Sequence, residues 1–116
     1  MSEVIIKIPM RTPSLNEMLR EHWAERAKEK KTWQQWMMKT RKIGFARVVQ
    51  ITSIRRKKLD FDNFVGGCKE VILDNLKATG WIEDDGPDDI LGAYTQVVGH
   101  PDKTEIVLSK FDKGEI

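Results

Sequence analysis

Two aspartates separated by one residue, Asp60 and Asp62, are the residues of this 116-residue chain whose spacing most directly suggests chemistry. On an extended backbone, residues two apart point to the same side, so the two carboxylates would face together. Their repulsion needs an opposing charge, and a hard divalent cation is a natural partner because Mg²⁺ prefers a few carboxylate oxygens together with waters. A shared proton or a nearby arginine would also balance the pair, so the tripeptide alone leaves metal binding open.

Charged residues on both sides of the pair widen the chemistry that the region could perform. The run Arg55-Arg56-Lys57-Lys58 precedes it. Such a run is usually the solvated end of a strand, but beside carboxylates it can hold a phosphate chain against a metal. Lys69 follows Asp62 by seven residues, so at about 100° per residue the two would share one helical face within about 20°. A second acidic group, at 83–85, follows a predicted helix of about 18 residues. It should lie about 27 Å from the start of that helix, so by spacing alone it is a solvated turn.

Two adjacent glycines, Gly66 and Gly67, lie between Asp62 and Lys69 in a segment with helical periodicity. Glycine inside a helix costs about 1 kcal/mol relative to alanine, so two in succession indicate a close approach to the backbone. A ligand or simple close packing against another element of the fold would explain them equally well.

The hydrophobic pattern predicts a single α/β (α+β) domain over residues 1–116, with a small mixed four-stranded sheet and two main helices. Ser14 and Glu17 form a capping-box pattern at the start of the first helix, and a break near Lys30 and Lys31 is left open. The order strand-helix-strand-helix-strand-strand corresponds to residues 4–8, 15–41, 44–54, 61–80, 90–98 and 104–111.

Apolar residues on both faces of the second predicted strand favour an interior strand that is covered on both sides. Trp33, Trp36, Met37 and Met38 of the first helix fit either a core or an interface between two copies. We favour the core for most of them.

Charge is divided unevenly along the chain. Residues 1–58 carry 15 Lys and Arg against 5 Asp and Glu, whereas residues 59–116 carry 5 against 13. Such blocks favour one surface for a polyanion and another that concentrates carboxylates, although a folded surface can also mix both signs. The single cysteine, Cys68, excludes an intramolecular disulfide and is typical of a reducing cytoplasm. We expect no membrane span and no secretory signal.

Over about residues 4–110 the chain resembles the RusA-type Holliday-junction resolvases. The N-terminal part of the resemblance is Pro13-Ser14-Leu15-Asn16, with Trp23 downstream. The more specific part begins with the basic run and continues through the sequences Leu59-Asp60-Phe61-Asp62-Asn63, Lys69, Asp74-Asn75-Leu76 and Gly80-Trp81-Ile82-Glu83-Asp84-Asp85.

The resemblance implies a homodimeric endodeoxyribonuclease that depends on Mg²⁺, with Mn²⁺ able to replace it. Such an enzyme binds branched DNA at four-way (Holliday) junctions and cuts symmetrically placed strands by phosphodiester hydrolysis during recombination and repair. The resemblance further implies a cytoplasmic, nucleoid-associated protein, and it is compatible with a phage or prophage origin.

The site residues implied by the resemblance are carried over by position. Asp60, Asp62 and Asp85 match the metal-binding and catalytic aspartates, and Lys69 is the nearest match to the catalytic lysine. That lysine is expected about one turn after the second aspartate, where this chain has Gly66. The cations expected to contact DNA phosphates are Arg55, Arg56, Lys57 and Lys58.

Two other kinds of protein would be compatible with the same features. A branched-DNA-binding protein of this fold would keep the basic surface but would not cut, and the displaced lysine favours it. A small α/β interaction domain would instead use its acidic loop to bind a basic partner, and it would not bind DNA even at low salt.

Overall fold

The structure is a computed structural model that describes residues 3–40 and 44–110. Within those ranges the elements in chain order are β1 (Glu3–Ile8), α1 (Leu15–Arg20), α2 (Trp23–Met38), β2 (Val48–Arg55), α3 (Phe61–Gly67), a π-helical segment (Cys68–Leu73), α4 (Asp74–Ala78), β3 (Leu91–Val98) and β4 (Lys103–Ser109). The predicted ends of the first helix at Arg41 and of the last strand at Phe111 lie outside the described residues. None of the helices described is long and apolar enough to cross a membrane.

The described strands form one mixed sheet in the order β1-β4-β2-β3. β4 pairs antiparallel with both β1 and β2, whereas β2 and β3 run parallel. Parallel neighbours need a long crossover, and the helical residues 61–78 supply it. The expected α+β fold with a mixed four-stranded sheet is confirmed.

The interior position predicted for the second strand is confirmed, because β2 pairs with β4 on one side and β3 on the other. On one face of β2, Val49 and Ile51 are fully buried. On the opposite face Gln50 is exposed and Val48 is half-buried. The expectation that both faces are covered is therefore wrong for the single chain. The β-branched residues of the uncovered face reflect strand propensity rather than burial.

The single helix predicted over 15–41 is two helices, because the chain leaves helical geometry at Glu21 and His22. His22 caps α2, since its Nδ1 accepts a hydrogen bond from the Ala24 backbone N–H at 3.3 Å. The predicted cap of α1 is confirmed, with Ser14 Oγ accepting from the Glu17 N–H at 3.4 Å.

The core lies between the helices and one face of the sheet. Trp33 and Met37 of α2 are fully buried, Trp36 is half-buried and Met38 is 68% exposed. Trp81 is also buried, and its indole N–H donates to the Met37 carbonyl at 3.0 Å. The preference for the core is thus confirmed for Trp33 and Met37, and Trp36 packs against the core, whereas Met38 is the exposed exception.

The glycine pair lets α3 pack closely against the chain that leads into α1. A Cβ on Gly67 would lie 1.9 Å from the Pro13 carbonyl oxygen, and one on Gly66 would lie 2.7 Å from the Leu15 side chain. Close packing within the fold therefore accounts for both glycines. Gly80, with φ of +83°, follows the helical stretch and ends it as predicted.

Candidate functional site

The first two aspartates lie at the start of α3, where the chain turns from the end of β2 into the crossover helix. Asp60 is the residue that precedes α3, Asp62 lies in its first turn, and both are exposed. The extended backbone expected for the pair is wrong beyond Asp60, because Phe61 and Asp62 are helical and residues two apart on a helix do not share a side. The Asp60 carboxylate accepts a hydrogen bond from the Asn63 side-chain amide at 2.5 Å. The Asn63 amide oxygen in turn accepts from the Asn16 backbone N–H at 3.2 Å. The two separate sequence elements of the resemblance therefore meet at Asn63.

Gln96 of β3 fixes the segment that leads into Asp60. Its side-chain oxygen accepts from the Leu59 N–H at 2.8 Å, and its side-chain nitrogen donates to the Leu59 carbonyl at 2.9 Å. The amide thus pairs with both backbone groups of Leu59, much as a neighbouring strand would. The sequence carries no signal for this role, because a glutamine in a strand is ordinarily a surface residue.

Asp85 and Lys69 line one pocket of about 390 Å³, together with Gly92 and Tyr94 of β3. The loop after α4 therefore doubles back to the middle of the 61–78 helical stretch instead of remaining at its far end. The helix length argued against Asp85 joining Asp60 at the start of the helix, and the pocket that contains Asp85 is not lined by Asp60. A lysine and a carboxylate facing one solvent-filled pocket can bind an anion and a cation side by side.

Tyr94, to which the sequence assigned no chemistry, forms one wall of this pocket. A Cβ on Gly92 would lie 2.9 Å from the Tyr94 hydroxyl, so the ring folds over that glycine. Burial and then the nearby Cys68 and Asp85 raise the pKa of Tyr94, which keeps its hydroxyl protonated as a donor. Cys68 itself is buried, and burial raises the pKa of its thiol to about 12, so it is no nucleophile at neutral pH.

Asp84 and Asp85 are adjacent, and they have different partners. Lys77 Nζ lies 3.1 Å from Asp84 Oδ1, and the Asp85 backbone N–H donates to the same oxygen at 2.8 Å. The backbone hydrogen bond and then Lys77 lower the pKa of Asp84. Asp84 is therefore engaged at the helix end, whereas Asp85 lines the pocket, and its assignment as a metal ligand stays a prediction.

The three predicted metal ligands are not gathered at one point of the chain. In residues 3–40 and 44–110, no group of three or more His, Cys, Asp or Glu side chains is arranged to hold a metal. Asp62 and Lys69 are separated by seven helical residues, which amounts to about 10 Å along the axis. The structure thus joins Asp85 to Lys69, whereas Asp60 and Asp62 lie nearer the start of the same helix.

The four cations of the basic run have separate environments. Arg55 ends β2 with only 8% of its surface exposed, and its guanidinium donates to the Thr12 carbonyl at 2.9 Å. Burial lowers the pKa of Arg55, and the side chain serves the fold rather than the surface. Arg56 donates to His100 Nδ1 at 3.2 Å, and Arg56, Lys57 and Lys58 are all exposed. The exposed positive charge of the run is therefore that of Arg56, Lys57 and Lys58.

Comparison with models of known protein families finds none that matches the chain, and a search of curated proteins finds no significant match. The site is therefore interpreted from its own residues and their geometry.

Proposed function

We propose that the protein is a Mg²⁺-dependent endodeoxyribonuclease that resolves four-way DNA junctions by phosphodiester hydrolysis. The observation that carries the proposal is the contact of Asn63 with both Asp60 and the Asn16 backbone. It supports the view that the Pro-Ser-x-Asn and Asp-x-Asp-Asn elements, 47 residues apart, belong to one site. Such an enzyme would act on DNA in the cytoplasm, at the nucleoid or on phage DNA.

The donor set at the start of α3 is compatible with Mg²⁺. The ion is commonly bound through one or two carboxylates, with waters and substrate phosphates completing its octahedron, so three convergent protein ligands are not required. Asp60 and Asp62 are exposed within one turn and would hold it, and Mn²⁺ would fit the same oxygens. When bound, the ion would lower the pKa of a water and neutralise phosphate charge.

The remaining residues have roles that follow from their charge and position. Arg56, Lys57 and Lys58 adjoin the aspartates and would hold the DNA backbone without reading sequence. Lys69, about 10 Å along the helix axis from Asp62, would bind a second phosphate of the same strand in the pocket that it shares with Asp85.

The homodimer that a two-fold symmetric junction calls for is most readily formed through β3. β3 is an edge strand of the described sheet, contains no charged residue, and exposes Leu91, Val97 and Val98. A long uncharged edge is usually covered by another strand. Antiparallel pairing of two β3 strands would set the Gly92 end of one copy, near Asp85, beside the Gln96 end of the other, which holds the Asp60 segment.

The direct test is cleavage of a synthetic four-way junction by the purified protein with and without Mg²⁺. We expect symmetric cuts that require the metal, and a loss of at least about 100-fold in rate for Asp62→Asn, because a metal contributes several kcal/mol to the transition state. Asp88→Asn is the matched control, since Asp88 is an exposed aspartate of the loop. Undiminished cleavage by Asp62→Asn, or no cleavage by the wild type, would contradict the proposal.

A branched-DNA-binding protein that does not cut is the second candidate. It is favoured by the absence of a group of three potential metal ligands among the described residues. Tight junction binding in chelator, with no cleavage in either Mg²⁺ or Mn²⁺, would support it over the nuclease.

A further inference from the structure

Trp23 is the first residue of α2 and is 72% exposed. Its only aromatic neighbour in the described chain is His22, with ring centroids 5.4 Å apart and planes tilted by 36°. Trp33 and Trp81, by contrast, are fully buried. A tryptophan is highly buried on average, although one exposed apolar side chain by itself requires no explanation.

Trp23 lines a groove of about 240 Å³, so its exposed ring is part of a concave surface. The groove is lined by Met18, Trp23, Arg26, Ala27, Lys30 and Glu70. Four of these residues are at positions i, i+3, i+4 and i+7 of α2 and so share one helical face. The groove therefore combines an aromatic surface and apolar walls with two cations, which is the combination that binds single-stranded nucleic acid.

The two cations of the groove are accessible to an anion. Arg26 forms no ion pair with any residue that the structure describes. Lys30 Nζ lies 3.7 Å from Asp74 Oδ2, but 38% and 47% of the two side chains remain exposed. An exposed pair of this kind contributes little to stability, so Lys30 can exchange Asp74 for a phosphate at small cost.

The groove and the candidate pocket are lined by neighbouring residues of the same helical segment. Lys69 lines the pocket that contains Asp85, and its neighbour Glu70 lines the groove that contains Trp23. The Glu70 carboxylate is an acceptor for the exocyclic amino group that cytosine presents and thymine lacks.

We propose that this groove is a binding site for an unpaired nucleobase of DNA, which stacks on Trp23 while Arg26 and Lys30 contact its backbone and Glu70 favours a base with an amino group. The inference rests on the proposed function in taking DNA as the ligand. It does not require that the protein cuts DNA.

The experiment measures the binding of single-stranded oligocytidylate and oligothymidylate of about 15 nucleotides, the scale of a single-strand binding site, by fluorescence anisotropy in chelator. We expect Trp23→Ala to weaken binding by about 5- to 100-fold and Trp23→Phe to retain most of it, because stacking contributes at this level and needs only an aromatic face. Leu19→Ala is the matched control, since Leu19 is 66% exposed and is not part of the groove lining.

Three further measurements separate stacking from general electrostatic attraction. Trp23→Ala should leave the dependence of log Kd on log salt unchanged, whereas Arg26→Ala should reduce its slope by about 1. Glu70→Gln should reduce the preference for oligocytidylate over oligothymidylate. DNA should quench the fluorescence of the wild type and not of Trp23→Phe, a readout that does not depend on the alanine variant being folded.

The outcomes distinguish the two proposals. The stacking site alone would be overturned if the wild type cleaves the junction, if Trp23→Ala binds single strands as tightly as the wild type does, and if DNA quenches the fluorescence of Trp23→Phe as much as that of the wild type. Trp23-dependent binding without any cleavage would support the stacking site and overturn the nuclease. Wild-type protein that binds neither junction nor single strand would overturn both.

Discussion

Glu29 of α2 lies close to Glu21, at the corner where α1 meets α2. Burial and then the charge and hydrogen bond of Glu21, followed by the charge of Glu17, raise the pKa of Glu29 from 4.5 to about 7. Arg11 opposes this shift only in part. Near pH 7 Glu29 is therefore partly protonated in the folded chain and almost fully ionised in the unfolded chain.

We predict that stability falls as the pH rises from about 4.5 to about 7, the range between the unfolded and folded pKa of Glu29. In that range the folded chain binds more protons than the unfolded chain, so raising the pH favours unfolding. Urea denaturation at a series of pH values measures the effect. Glu29→Gln should flatten the profile, whereas Glu25→Gln, at an exposed position of the same helix, should leave its slope unchanged.

At the residue scale the sequence shows which side chains carry charge, but it does not show which of them are buried. Arg55 stands in a run of four cations and was expected at the surface. It is buried because Val49, Ile51 and Ser53 alternate inward and β2 continues one residue beyond the predicted end at Ile54. The alternation of inward and outward side chains along a strand would have predicted that Arg55 is buried, had the end of the strand been known. The partners Thr12 and Gln96 could not be predicted, since both contacts join distant parts of the chain.

At the scale of elements, the approach of α3 to the segment before α1 depends on Gly67. We predict that Gly67→Ala lowers the free energy of unfolding by about 1–3 kcal/mol, because a new methyl group must displace the Pro13 backbone. Gly66→Ala is the matched control and should cost less, since the atom that it meets first is the flexible end of the Leu15 side chain. Chemical denaturation of both variants measures the difference. Equal stability of the two variants would contradict the prediction.

Most of the helices and strands were predictable. The main error is the helix break at His22, where a side-chain cap stands in place of the usual glycine or proline. The strands and the 61–80 helix follow from apolar periodicity, and Gly80 marks the end of that helix, but β2 begins at Val48 and not at the predicted Gly44. The break between α1 and α2 has no glycine or proline. Its signal is His22 as a cap, with Glu25 three residues later in the first turn of α2, a pattern weaker than that of Ser14 and Glu17.

At the scale of the whole molecule, the uncharged edge at β3 decides how a second copy would attach. We predict that Thr95→Lys combined with Val97→Lys raises the dissociation constant of the proposed dimer by at least about tenfold, because lysine on an edge strand opposes strand pairing. Junction cleavage should be lost with it. Ile5→Lys is the matched control, since Ile5 is exposed on β1 at the other edge of the sheet.

Analytical ultracentrifugation measures this change. A dimer that survives both lysines on β3, or one that Ile5→Lys disrupts instead, would place the contact elsewhere. The sequence predicts the mixed sheet and the element order, but the strand order β1-β4-β2-β3 has no local signal, because it depends on which edges meet after the whole chain has collapsed.

The π-helical segment Cys68–Leu73 carries both Lys69 and Glu70, whose side chains enter different pockets. A wide turn of this kind accommodates one residue more than an α-helical turn. Loss of one residue there would convert the wide turn into an ordinary α-helical turn and change the directions in which Lys69 and Glu70 point, while the flanking helices α3 and α4 keep their positions. A single-codon deletion in this segment would therefore alter the lining of both pockets at once.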